Sequence, residues 1–169
     1  MTAQDIIRLL KLEKHPKEGG YFRETYRSPQ SIPREHLPSA YSGPRDFSTA
    51  IYYLITPDSF SAMHRLPGEE IFHHYLGDGV EMLLLHPDGN SEIVTIGNDL
   101  LRGQSPQVIV PANTWQGSRL IDGGRFALLG CTMSPGFDYA DYQHGSRDEL
   151  IRQYPSQSQR IAALTTESA

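Results

Sequence analysis

One cysteine in 169 residues leaves neither a disulfide framework nor a thiolate zinc site to assemble. That residue, Cys131, ends the apolar run Phe126-Ala127-Leu128-Leu129-Gly130-Cys131 with no activating base nearby in the chain, so it reads as packing. Basic excess is missing too: 15 Lys and Arg against 20 Asp and Glu give a net charge of −5, and the isoelectric point is about 5.8. Such a balance offers no field to a phosphate backbone or an anionic lipid surface, so neither nucleic acid nor membrane is an expected partner. No apolar run approaches the ~18 residues of a membrane span, and Met1-Thr2-Ala3-Gln4-Asp5 lacks the basic and apolar regions of a signal peptide. A soluble, cytoplasmic protein is expected. Gly77-Asp78-Gly79 has no third glycine to complete a dinucleotide fingerprint, and Gly-x-Ser-x-Gly does not occur, so nucleotide-type cofactors are not implied.

What the chain does have is frequent punctuation. Its 12 prolines and 15 glycines exceed the average combined share of about 12% and follow no period, which points to many turns between short elements. The length suits one domain, spanning 1–169, with a full-sized core. Ile6, Ile7, Leu9, Leu10 and Leu12 keep helical spacing behind Thr2 and Asp5, predicting a short amphipathic helix within residues 1–14 that stops before His15-Pro16. From Tyr21 the signal changes to short aromatic and β-branched runs bounded by Gly, Pro, Asp or Asn. Strands are predicted near 21–27, 47–55, 60–65, 70–76, 80–86, 91–96, 107–110, 115–120 and 125–133, so that a barrel occupies residues 20–135. Pro87-Asp88-Gly89 marks the clearest turn. Four prolines in residues 28–44 predict a surface loop or edge segment. Ser146-Arg147-Asp148-Glu149 has capping-box form and predicts a short helix over 146–154, with a loose polar tail at 155–169. So many short strands must hide their edges, which favours a jelly-roll barrel over an immunoglobulin-type sandwich.

The densest polar cluster runs from Met63 to Gly79 and places His64, His73, His74, Glu69 and Glu70 on two adjoining strands joined by Pro67-Gly68. Imidazole and carboxylate are ligands for Zn, Fe, Mn or Ni, and equally the parts of an acid–base pair that titrates near neutrality. The plain alternative is a solvated sheet face. Strand alternation puts Glu70, Phe72 and His74 on one face and Glu69, Ile71, His73 and Tyr75 on the other, and only one set lines the interior. A second candidate is Val110-Pro111-Ala112-Asn113-Thr114-Trp115-Gln116-Gly117, a turn that carries an aromatic and an amide into the next strand; the alternative is a tight turn with Trp115 as core filler.

These two runs resemble the paired motifs of the cupin superfamily. Glu70 is followed by Gly77 at the spacing of the first motif. In the second, Pro111 fits, Asn113 stands where glycine is usual, and Gln116 holds the histidine position. The resemblance reaches an uncharacterised single-domain branch of the cupin-5 type and covers nearly the whole chain. It is carried by His15-Pro16, Gly19-Gly20-Tyr21-Phe22-Arg23-Glu24-Thr25-Tyr26, Ser48 to Leu54, His64-Arg65, Glu70-Ile71-Phe72-His73, Trp115-Gln116, Gly130-Cys131-Thr132 and Pro135-Gly136-Phe137. Phe72 stands where that branch more often has Trp, and His74 where an aromatic is common.

The resemblance implies an all-β cupin jelly roll with short terminal helices, a homodimer, and a barrel holding one small molecule such as a sugar, sugar nucleotide or small organic acid. Tyr21 and Arg23 offer a ring and a guanidinium to such a ligand, or else an edge strand for a neighbouring subunit. Phe72, His73, His74, Trp115 and Gln116 are the further ligand-binding candidates. Similarity to sugar-nucleotide epimerases suggests metal-free chemistry in which His64 abstracts a proton, Glu70 orients the imidazole and Tyr75 reprotonates. A second scheme binds a divalent metal ion through His64, Glu70, Gln116 and one of His73 or His74. A third has no catalysis: a module that senses or carries a ligand.

Overall fold

The computed structural model describes residues 1–166. It opens with α1 (Ala3–Leu10), capped by a box in which Thr2 and Asp5 each accept the other's backbone N–H. The helix is shorter than residues 1–14: Lys11 takes a left-handed conformation, and β1 (Glu13–Lys14) follows. Next come β2 (Tyr21–Arg27), β3 (Ser31–Ile32), β4 (Arg45–Asp46), β5 (Thr49–Ile55), β6 (Ser61–Arg65), β7 (Glu70–Gly77) and β8 (Val80–Leu85). β9 (Ser91–Ile96), β10 (Gln107–Val110), β11 (Trp115–Leu120), β12 (Ala127–Met133) and β13 (Gln143–His144) complete the strands, before α2 (Arg147–Gln153) and α3 (Ser158–Ala163). The nine predicted strands are all present, each within about two residues of its expected bounds. None of the helices among the described residues is long and apolar enough to cross a membrane.

Two antiparallel sheets face each other, in the orders β1-β2-β5-β12-β7-β10 and β13-β6-β11-β8-β9. Alternation decides what lies between them. Phe72, Val80, Met82, Leu84, Leu129 and Cys131 join one buried cluster in the barrel. Leu83 and Leu85, on the other face of β8, pack instead on Leu150, Tyr154, Ile161 and Leu164. Strand β8 is therefore buried on both faces, which is why it reads as a nearly continuous apolar run. In the same way Leu54 and Leu128 turn outward beneath α1.

Two expectations need correcting here. Residues beyond Tyr154 are not loose over the described part, because Ile161 and Leu164 are buried against the back of the five-stranded sheet. Their spacing of three and the polar residues around them hide this in the sequence. Ser146 does occupy the N-cap of α2, but its side chain makes no capping bond. The segment 28–44 is pinned at both ends: β3 pairs with β4, Leu37 and Tyr41 are buried, and Arg45 forms a two-pronged, buried ion pair with Asp141 at 2.5 and 2.7 Å.

Candidate functional site

A cavity of about 300 Å³ opens along the inner face of the six-stranded sheet. Phe22 and Glu24 of β2, Ile51 and Tyr53 of β5, Glu70 and Phe72 of β7, and Cys131 and Met133 of β12 form its wall. Residues 137–139 and the turn at 15–18 complete the enclosure through Phe137, Asp138, Tyr139, His15 and Glu18.

The turn is built to deliver Glu18. His15 Nδ1 accepts the Glu18 backbone N–H at 2.9 Å, closing the turn much as an aspartate side chain would. Gly19 follows with φ of 93°, and a Cβ there would lie 2.4 Å from the Phe60 carbonyl, so only glycine lets the chain press onto the barrel. Its carbonyl accepts the Tyr53 hydroxyl at 2.8 Å.

Glu70 is the buried carboxyl of the wall. Gln116 Nε2 donates to its Oε1 and the Cys131 thiol donates to its Oε2 at 3.3 Å. Burial is the largest influence on this carboxyl. Together with the nearby Glu18 it outweighs the pull of His64 and the two hydrogen bonds, and the pKa rises to about 7. His64 is buried behind this group. Its Nδ1 donates to the Ala62 carbonyl at 2.7 Å, and its Nε2 lies 3.8 Å from Glu18 Oε1 and 3.9 Å from Glu70 Oε1. Burial disfavours the imidazolium, but Glu18, Glu70 and the Ala62 carbonyl more than compensate and hold the His64 pKa above its ordinary value. Tyr142 stacks on the ring at 5.3 Å. Burial pushes the Cys131 thiol well up, which keeps it a hydrogen-bond donor rather than a nucleophile.

Imidazole, carboxylate and carboxamide thus converge, but the roles assigned from the sequence shift. Glu70 and Phe72 line the cavity; His64 and Gln116 stand behind Glu70 and are not on the wall. Tyr75 is half exposed on the outer face of β7 and packs on His73 and Tyr52, so it is not placed to reprotonate a ligand inside the barrel. His73 faces out with it. His74 takes the inner side but lies off the cavity wall, with Nε2 bonded to the Asp78 carbonyl at 3.0 Å. Tyr21 packs under α1, and Arg23 lies over Tyr52 on the outer surface, because alternation along β2 gives the interior to Phe22 and Glu24. Trp115 sits beneath the carboxy-terminal helices with Arg65 stacked 4.6 Å from its ring.

Of the expected metal ligands His64, Glu70 and Gln116 meet, while the fourth member of the set does not join them. Gln116 turns its amide nitrogen to Glu70, and His73 and His74 lie elsewhere. Among the described residues no group of three or more His, Cys, Asp or Glu side chains has metal-site geometry. Glu18 and His15 were missed by sequence reasoning. Glu18 gave no signal beyond its place just ahead of Gly19-Gly20, and His15 entered only through the resemblance and as the end of the first helix. In the second motif, Asn113 adopts φ of 63°, the left-handed conformation that explains why asparagine can hold a glycine position.

A family model described as Cupin superfamily (DUF985) matches residues 4–145. An uncharacterized protein of Saccharomyces cerevisiae is 34% identical over 149 residues, which span 83% of this chain and 74% of that protein. A hypothetical protein from Leishmania major has the same fold with a TM-score of 0.88 and 31% identity, covering 99% of this chain and 100% of the other. Protein SO0799 from Shewanella oneidensis gives a TM-score of 0.87 and 31% identity, covering 99% of each. The jelly roll, the two motifs and these relatives agree: the chain belongs to the DUF985 family of the cupin superfamily.

Proposed function

We propose that the chain binds one small organic molecule in the barrel cavity. The observation that carries this reading is Glu70, a carboxyl 6% exposed yet set in the wall of the cavity among Phe22, Phe72 and Tyr139. Burying a carboxyl is costly, and cavities that combine aromatic walls with a few converging polar groups are the usual form of small-molecule sites. The volume lies at the lower end of the ~300–1,000 Å³ range for such sites, which suits a molecule of monosaccharide size better than a whole sugar nucleotide. A thermal-shift and calorimetric screen of monosaccharides, organic acids, amines and sugar nucleotides tests it. One class should raise the melting temperature of the wild type and lose that effect in Glu70→Ala. No binding by any class at millimolar concentration would overturn the reading.

A second reading, turnover of the bound molecule by proton transfer, is favoured by the same carboxyl. A group that titrates near 7 can both take and return a proton at neutral pH. In this scheme Glu70 meets the ligand, His64 balances its charge from behind, and Tyr53 and Tyr139 are the tyrosines of the wall. Incorporation of solvent deuterium into a recovered ligand, abolished in Glu70→Gln, is the expected result; a ligand returned without label would leave binding alone.

A further inference from the structure

We infer that the molecule held in this cavity carries a positive charge, an ammonium group seated between Glu18 and Glu70 with Phe22 and Tyr139 beside it. This rests on the reading that the cavity is a ligand site. Among the described residues that line it, four carboxyls, Glu18, Glu24, Glu70 and Asp138, face a single guanidinium, Arg27.

That guanidinium has nothing left to offer an anion. Its Nε donates to Glu24 Oε1 at 3.0 Å and Nη2 to Glu24 Oε2 at 2.7 Å. Nη1 donates to Asp46 Oδ2 at 2.7 Å, and both Nη atoms reach the Phe137 carbonyl at 3.3 Å. Those bonds use every N–H the side chain has. A phosphate or carboxylate entering the cavity therefore meets carboxyls and no free cationic donor.

At the other end Glu18 and Glu70 share the His64 imidazole, and His15 Nε2 lies 3.7 Å from Glu18 Oε1. With one proton distributed between His64 and Glu70, these two and Glu18 together carry one uncompensated negative charge whichever atom holds that proton. His15 does not cancel it, since burial lowers its pKa and favours the neutral ring. The Lys17 ammonium is exposed and off the cavity wall, lying 5.2 and 5.3 Å from the centres of the Tyr139 and Tyr142 rings, a contact that shows these faces accept cations. A small ammonium compound supplies the missing charge, three donors for the carboxylate oxygens, and a cation for the aromatic wall.

The test is calorimetry on the wild-type protein with cyclohexylamine, cyclohexanol and cyclohexanecarboxylate, three probes of one skeleton and different charge. The amine should bind at least about tenfold more tightly than the other two, and Glu18→Gln should remove most of that preference. Equal binding of alcohol and amine, or tighter binding of the carboxylate, overturns the charge assignment and leaves the cavity a ligand site. Failure of all three overturns both. Displacement of the amine by an equimolar divalent metal ion also overturns it, since the ion would then be the native cation.

Discussion

The carboxamide of Gln116 donates to the carboxylate of Glu70 across the space between the two sheets, joining β11 to β7 beside the cavity. With the Cys131 thiol on the second oxygen, both atoms of the Glu70 carboxylate are held and its plane is fixed. The glutamine stands where the second cupin motif usually has histidine, and its amide nitrogen is turned to Glu70.

Replacing Gln116 by Leu leaves one buried carboxylate oxygen without its donor, an omission worth about 1–3 kcal/mol. The loss should be larger at pH 8, where Glu70 is ionised, than at pH 5, where it is protonated. Urea denaturation at the two pH values checks both the size and the order; equal losses would show that the bond does not favour the ionised form.

Glu70 itself sets a pH signature. Its pKa is raised on folding from 4.5 to about 7, so the native state holds a proton that the unfolded chain has lost. The stability this confers is complete below pH 4.5 and disappears as pH climbs to 7, a fall on the order of 3 kcal/mol. His64, also raised, acts with the same sign: its contribution is full below 6.5 and is lost as pH rises through its folded value. The stability difference between wild type and Glu70→Gln should therefore slope downward with pH across this window. A flat difference would refute the assignment.

Ile161 is fully buried against the back of β8 through its cluster with Leu83 and Leu85. Ile161→Ala should cost about 2–4 kcal/mol in chemical denaturation, as core truncations do. A change under half a kilocalorie, the range of about ±0.5 kcal/mol typical of surface substitutions, would mean that α3 does not dock in solution.

Arg45 and Asp141 are a buried pair, with side chains 4% and 5% exposed, fastening the segment 28–46 to the part of the wall that bears Asp138 and Tyr139. Asp141→Ala strands the guanidinium and should cost about 3–5 kcal/mol, whereas the double change Arg45→Met with Asp141→Leu should recover much of that loss. A double-mutant cycle reads the coupling directly. Additive losses would show that the two residues act separately.

Much of the fold could be read from the chain because each strand carried its own local signal: alternation in Glu70-Ile71-Phe72-His73-His74, Pro-Asp-Gly after Leu85, and an apolar run at β8. The site was less legible. Alternation divided β7 into two faces, but the choice between them waited on pairing with β12 and β10. The placement of His64 behind the carboxyls, not in front of them, depends on a two-residue loop back to the Ala62 carbonyl that no spacing rule encodes. Glu18 reaches the cavity from a turn whose shape comes from His15 and Gly19, residues notable in the sequence for other reasons.

The wall of the cavity draws on both ends of the polypeptide, with Glu18 near its start and Tyr139 more than a hundred positions later. The cavity therefore cannot close until the chain from His15 through Tyr139 has been made and folded.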